Sequence, residues 1–272
     1  MKTVMITGAS SGIGKHLTYL YLSMGWHVIA CGRLLSKLQA AVPSAHPALT
    51  LCTFDINQRT EVITKLKQIE ALDLVILNAG TCEYMDDPLP FDSELFKRVI
   101  ETNVIGTGYC LEGVLGNVKQ GGQLAIVSSS VTLLPLTRSE AYGASKAALD
   151  YLTRTLAIDL SPKNIAVSLI RPGFVDTALT QKNTFSMPGL ISAEKACRYI
   201  MHGLEEQKLE ISFPRKFFFT MKILALLPNT LWRRLAIKMI RGAEWNKHRR
   251  IPKKNVSPLL AAVFQAKPVA TC

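Results

Sequence analysis

Short apolar runs alternate along this chain with longer stretches in which apolar residues recur every three or four positions. Val4 to Thr7 precedes an amphipathic stretch from Gly14 to Met24, His27 to Ala30 precedes Ser36 to Ala41, and Thr50 to Phe54 precedes Thr60 to Ile69. Runs of the first kind predict strands and those of the second predict helices. The alternation continues with strands at Leu74 to Leu77, Gln123 to Ser128 and Ala166 to Ile170, and with helices over Ser93 to Leu115 and Tyr142 to Leu160. A helix from Ala193 to Gly203 then leads into a last strand, Leu209 to Phe213. The strands are apolar almost throughout rather than at alternate positions, so both of their faces must be covered. That predicts an α/β fold built on a doubly wound parallel sheet of about seven strands. Beyond Pro214 the pattern changes to a basic, Phe- and Leu-rich segment, and after Ile251 to a polar, Pro-containing tail. The chain therefore divides into an α/β unit, 1–213, and a partly helical, basic extension, 214–272.

At 272 residues and 48% hydrophobic content the chain can bury one substantial core. Met1 and Lys2 run directly into the first strand, which leaves no room for a signal peptide and makes a cytoplasmic location the expectation. Cysteines at 31, 52, 82, 110, 197 and 272 form no CxxC and no pattern with histidine, so reduced thiols and no metal site are expected. The net charge of +12 is localised: residues 1–206 hold 18 Lys and Arg against 18 Asp and Glu, and residues 207–272 hold 14 against 2.

Thr7-Gly8-Ala9-Ser10-Ser11-Gly12-Ile13-Gly14 lies between the first strand and the first helix. Glycines there permit a tight turn and let backbone N–H groups approach a pyrophosphate at the positive end of the helix. Tyr142 and Lys146 are spaced i, i+4 and share one helix face. Each motif alone is weak, since an unliganded turn or a surface helix would look the same. Their order gives them weight: the glycine turn, Asn78-Ala79-Gly80 after the fourth strand, Asn103 in a helix, Ser129 after the fifth strand, Tyr142-Gly143-Ala144-Ser145-Lys146, and Pro172-Gly173 after the sixth.

In this combination the chain resembles the short-chain dehydrogenase/reductase family over residues 1–213, which implies a Rossmann-like sheet and hydride transfer between a nicotinamide cofactor and an alcohol or ketone. The resemblance implies a catalytic tetrad of Asn103, Ser129, Tyr142 and Lys146. In this family the serine stands thirteen residues before the tyrosine, which selects Ser129 from the run Ser128-Ser129-Ser130 and leaves Ser130 as the alternative. Tyr142 would exchange a proton with the substrate oxygen, and Ser129 would position that oxygen. Lys146, about 5 to 6 Å away at an effective dielectric of about 20, is expected to favour the phenolate by roughly 3 kcal/mol. It would also hold the ribose hydroxyls. Asn103 would interrupt its helix around a water that relays protons to Lys146.

An acidic residue at the end of the second strand would select NAD; here Gly32 stands in its place, followed by Arg33, whose planar fork suits the 2′-phosphate of NADP(H). Ser11 departs from the basic residue that many NADP-type members carry, and Leu77 from a second asparagine before Asn78. The cofactor set implied by the resemblance is Gly8, Ser10, Ser11, Gly12, Ile13, Gly14, Arg33, Asp55, Ile56, Asn78, Ala79, Gly80, Tyr142, Lys146, Pro172, Gly173, Val175 and Thr177. Family members pair through the helices around Asn103 and Tyr142, so a homo-oligomer, a dimer or tetramer, is expected.

The extension contains Lys222-Ile223-Leu224-Ala225-Leu226-Leu227, too short to span a bilayer, and an amphipathic stretch from Thr230 to Arg241 with Leu231, Trp232, Leu235 and Met239 on one side. Three readings stay open: packing on the core or a second subunit, contact of 214–250 with an anionic membrane surface, and, least favoured, nucleic-acid binding. The substrate-side loop between Thr177 and Ser192 is short, so Phe217 to Leu227 is expected to close an apolar cleft for a small-molecule ketone or alcohol. The alternative class is a membrane-surface or regulatory NADP(H)-binding protein with little turnover.

Overall fold

A computed structural model describes residues 1–43, 45–183 and 185–248, with side chains to Lys238. The first half alternates strand and helix: β1 (Thr3–Thr7), α1 (Gly12–Ser23), β2 (His27–Gly32), α2 (Leu35–Ala41), β3 (Leu49–Thr53), α3 (Arg59–Leu66) and β4 (Leu72–Leu77). It continues through α4 (Ser93–Ile100), α5 (Gly106–Val114), β5 (Val118–Val127), α6 (Glu140–Asp159) and β6 (Ala166–Pro172). A pair of two-residue strands, β7 (Val175–Asp176) and β8 (Ile191–Ser192), precedes α7 (Ala193–Glu205) and β9 (Glu210–Phe213); α8 (Arg215–Ala225) and α9 (Asn229–His248) follow. The main sheet has seven parallel strands in the order β3-β2-β1-β4-β5-β6-β9.

Side-chain alternation divides each strand between two cores. Val4, Ile6, Leu74 and Ile76 face one side with Leu17 of α1 and Ala196 and Ile200 of α7. Met5, Val75, Leu77, Leu124 and Ile126 face the other with Val62 of α3, Cys110 of α5 and Leu149 of α6. A strand buried on both faces has to be apolar at every position, the pattern read from the sequence. The strand order reverses between β1 and β4, which opens a crevice beyond their carboxyl ends.

Two elements differ from those expected, and one of the readings left open for the extension gains support. The helix predicted over Ser93 to Leu115 is α4 and α5 joined by a π-turn, Glu101–Ile105, with Asn103 at its centre. The tyrosine-bearing helix starts two residues early, at Glu140, which puts Tyr142 in its first turn. The extension is not a free appendage along its described length: Met221 of α8 and Trp232 of α9 pack against Leu134. The tail expected after Ile251, and Cys272, lie outside the described residues, as do the side chains of Met239 and Arg241.

Candidate active site

The turn after β1 is shaped by three glycines that nothing larger could replace. Gly8 has φ +68°, and a Cβ there would stand 2.9 Å from Asn78 Nδ2; one on Gly14 would stand 2.3 Å from the Gly8 carbonyl oxygen. Gly12 has φ +49° and lies under Thr177. Asn78 locks this turn to the end of β4: its side-chain amide donates to the Thr7 carbonyl (2.9 Å), and its backbone N–H donates to the Thr7 hydroxyl (2.9 Å). Ser11 caps α1 without a side-chain bond, so the N–H groups of the first turn point into the crevice as an anion-binding end.

A cleft of about 720 Å³ extends from this turn. Ser10, Ser11, Gly12, Ile13, Arg33, Asp55 and Ile56 line one part, and Asn78, Ala79, Gly80, Ser129, Tyr142, Lys146, Pro172, Gly173, Val175 and Thr177 line the rest, with Gly8 between them. Of the residues expected to bind cofactor or act in catalysis, Gly14 and Asn103 alone do not line it. Gly14 supports the turn from behind, and Asn103 is fully buried. At the end of β2, a Cβ on Gly32 would lie 3.0 Å from Leu38 Cδ2, so a larger residue there would require the Leu38 side chain to shift. Arg33 beside it is exposed to the cleft.

The three serines after β5 point different ways. Ser128 donates to Asp150 Oδ1 (2.5 Å), Ser130 is buried, and Ser129 lines the cleft with Tyr142, its Oγ accepting from the Val131 N–H (3.2 Å). Lys146 Nζ donates to the Val127 carbonyl (2.9 Å) and sits 5.8 Å from the centre of the Tyr142 ring. Burial lowers the Lys146 ammonium to about 8, against the pull of the Cys82 thiol and the Asp150 carboxylate. Burial, helped by Cys82, raises the Tyr142 phenol above its ordinary value, and the nearby Ser129 hydroxyl offsets only part of that. Where the phenol is expected to be lowered by Lys146, desolvation dominates in the structure.

Asn103 is held at the π-turn by three bonds. Its Oδ1 accepts from the Thr81 N–H (2.7 Å), and its Nδ2 donates to the Thr81 carbonyl (2.9 Å) and to Ser145 Oγ (2.9 Å). Its amide thus ties the loop after β4 to α6. Behind the pair, Arg171 of β6 donates from Nε (2.9 Å) and Nη2 (2.6 Å) to Asp150 Oδ2 and from Nη1 to Glu210 Oε1 (2.5 Å). This buried network joins α6 to β6 and β9.

Apart from Phe217, the neighbouring aromatic residues are not expected from the sequence. Tyr84, Phe185, Phe174 and Phe217 form a continuous aromatic row with centroid separations of 5.5, 6.0 and 5.7 Å. Phe217, on α8, also packs 3.1 Å from where a Gly173 Cβ would stand. The four residues come from four separate segments, so no local signal groups them. The Trp232 indole is 4% exposed and donates to the Pro135 carbonyl (2.9 Å), which favours the reading in which its helix packs on the core. Among the described residues there is no metal-binding cluster and no helix long and apolar enough to cross a membrane.

The family description "short chain dehydrogenase" matches residues 2–187. An oxidoreductase of Myxococcus xanthus is 33% identical over 241 residues, covering 85% of this chain and 94% of that protein. The 11-beta-hydroxysteroid dehydrogenase 1A of Arabidopsis thaliana is 29% identical over 211 residues, 74% of this chain and 60% of that one. Among solved structures, a short chain dehydrogenase from Burkholderia cenocepacia in complex with NADP superposes with a TM-score of 0.76 at 23% identity, over 86% of this chain and 98% of that chain. BdcA in complex with NADPH gives 0.69 at 22% identity, over 78% and 91%.

Proposed function

The chain belongs to the short-chain dehydrogenase/reductase family of oxidoreductases, and from that premise we propose that it reduces a hydrophobic ketone or aldehyde to the alcohol with NADPH. The observation that carries this reading is that Ser129, Tyr142 and Lys146 line the same cleft as the glycine turn, with Lys146 Nζ 5.8 Å from the centre of the Tyr142 ring. The residues present fit the cofactor: the turn leaves room for a pyrophosphate against the α1 amides, Gly32 stands where an NAD-selecting acid would, and Arg33 lines the cleft beside it to meet a 2′-phosphate. Asp55 and Ile56 would receive the adenine, Thr177 the carboxamide, and Lys146 the ribose hydroxyls. When bound, NADPH supplies the hydride.

The protein's own part is to hold the substrate oxygen and give it a proton. Ser129 donates a hydrogen bond to that oxygen, and Tyr142 delivers the proton as negative charge develops on it. A phenol held above its ordinary value stays protonated across the neutral range, which suits a general acid and hence the reductive direction. Asn103 acts as a positioning residue, fixing α6 against the loop after β4.

The Tyr84–Phe185–Phe174–Phe217 row, which reaches the cleft residue Gly173 through Phe217, supports a hydrophobic substrate and a role for α8 in closing the pocket of the 1–213 unit. NADPH consumption is to be measured across aldehydes, small ketones, steroids and acyl ketones. Turnover is expected with the bulky ketones, and Phe217→Ala should raise their KM about tenfold with kcat little changed. Equal KM values in the variant would refute the role of Phe217, and preference for NADH would refute the cofactor assignment. Exposed Ile105, Tyr151 and Ile158 give the α6 side an apolar surface that favours a homo-oligomer formed there.

A further inference from the structure

One face of α8 is already used: Phe218 and Met221 are buried, and Met221 packs with Leu134 and Trp232. A helix with a satisfied apolar face should be polar on the opposite side. It is not. Phe219 is 66% exposed, Ile223 50% and Leu226 83%, at the i, i+4, i+7 spacing that sets them in one stripe. Exposed Leu231 follows just after Pro228.

The flanking charges are all of one sign. Arg215, Lys216 and Lys222 on α8 and Arg233, Arg234 and Lys238 on α9 are exposed, and residues 215–238 contain no Asp or Glu. Among the described residues, only Lys222 of these six reaches a carboxylate, Glu210, at 3.8 Å. An exposed apolar stripe flanked mainly by cationic side chains excludes most occupants. A second copy of this face would bring six positive charges against six. A nucleic acid would match the charge but leave the stripe in water.

We propose that the α8–α9 face docks on an anionic lipid bilayer, with Phe219, Ile223 and Leu226 entering the acyl boundary and the flanking Lys and Arg reaching the headgroups. The helix lies in the interface and does not cross it, in keeping with its 11 residues. Its other side carries Phe217 to Gly173 at the cleft, so docking brings the substrate side of the protein close to the lipid surface. The docking surface itself does not depend on the proposed reaction.

The test is co-sedimentation of the full chain, without cofactor or substrate, with vesicles of phosphatidylcholine alone or containing about 30% phosphatidylserine. Binding is expected to the anionic vesicles only and should fall steeply in about 0.5 M salt. The triple variant Phe219→Ser, Ile223→Ser, Leu226→Ser should lower partitioning about tenfold or more with its thermal midpoint retained. Arg233→Gln, Arg234→Gln, Lys238→Gln should weaken the preference for anionic vesicles. Wild-type binding by the triple variant, equal binding to both vesicle types, or loss of a homo-oligomer in that variant without a change in vesicle binding would each overturn the proposal.

Discussion

At the scale of single residues, the site works against its own stability. Lys146 is buried and lowered to about 8 from an ordinary 10.5, so the folded protein surrenders this proton before the unfolded chain does. The sign follows: below pH 8 both states are protonated and the folded state bears the full cost of a buried ammonium, a cost that falls away as pH rises from 8 to 10.5. Lys146→Met should therefore raise the thermal midpoint of the cofactor-free protein at pH 7 while abolishing turnover, and calorimetry alongside NADPH oxidation would check both. A lower midpoint would mean that the bond to the Val127 carbonyl outweighs the desolvation. The lysine was legible from its spacing to Tyr142, but its titration was not. Both its burial and the opposing pull of Cys82 depend on which segments close over the lysine, and Cys82 lies on a loop far earlier in the chain. Likewise the run Ser128-Ser129-Ser130 reads as three equivalent hydroxyls until β5 ends, after which one turns to Asp150, one to the cleft and one into the core.

At the scale of elements, the strands and most helices were legible because burial on both faces of a parallel sheet leaves an unmistakable apolar run. The π-turn at Glu101–Ile105 was not, since one extra residue per turn barely disturbs the apolar spacing on either side. Trp232 shows a second limit: amphipathic spacing identifies a stripe but not the surface that covers it, and here the indole faces the protein while Phe219 and Leu226 face out. The joints between elements are polar and long-range. Arg171 of β6, held by Asp150 of α6 and Glu210 of β9, fixes the helix that carries Tyr142 and Lys146. Asp150→Ala would leave Arg171 partly uncompensated in the interior and should cost about 3–5 kcal/mol in urea unfolding. A loss below about 1 kcal/mol would show that Glu210 alone satisfies the guanidinium.

At the scale of the whole molecule, strand order places the glycine turn, Arg33, Ser129 and Tyr142 at the carboxyl ends of strands around one reversal point, although they are spread over 135 residues of sequence. The extension adds an aromatic wall on one side and a cationic, apolar face on the other. The central claim is that Tyr142 supplies the proton as hydride passes from NADPH to a ketone carbon. The most direct measurement uses NADPH carrying deuterium at both C4 positions, with mass analysis of the alcohol formed from a hydrophobic ketone. The wild-type protein should place one deuterium on the carbinol carbon, and Tyr142→Phe should form that product about 10²–10⁴-fold more slowly with NADPH affinity unchanged. An unlabelled carbinol, or a Tyr142→Phe rate equal to the wild type, would contradict the account.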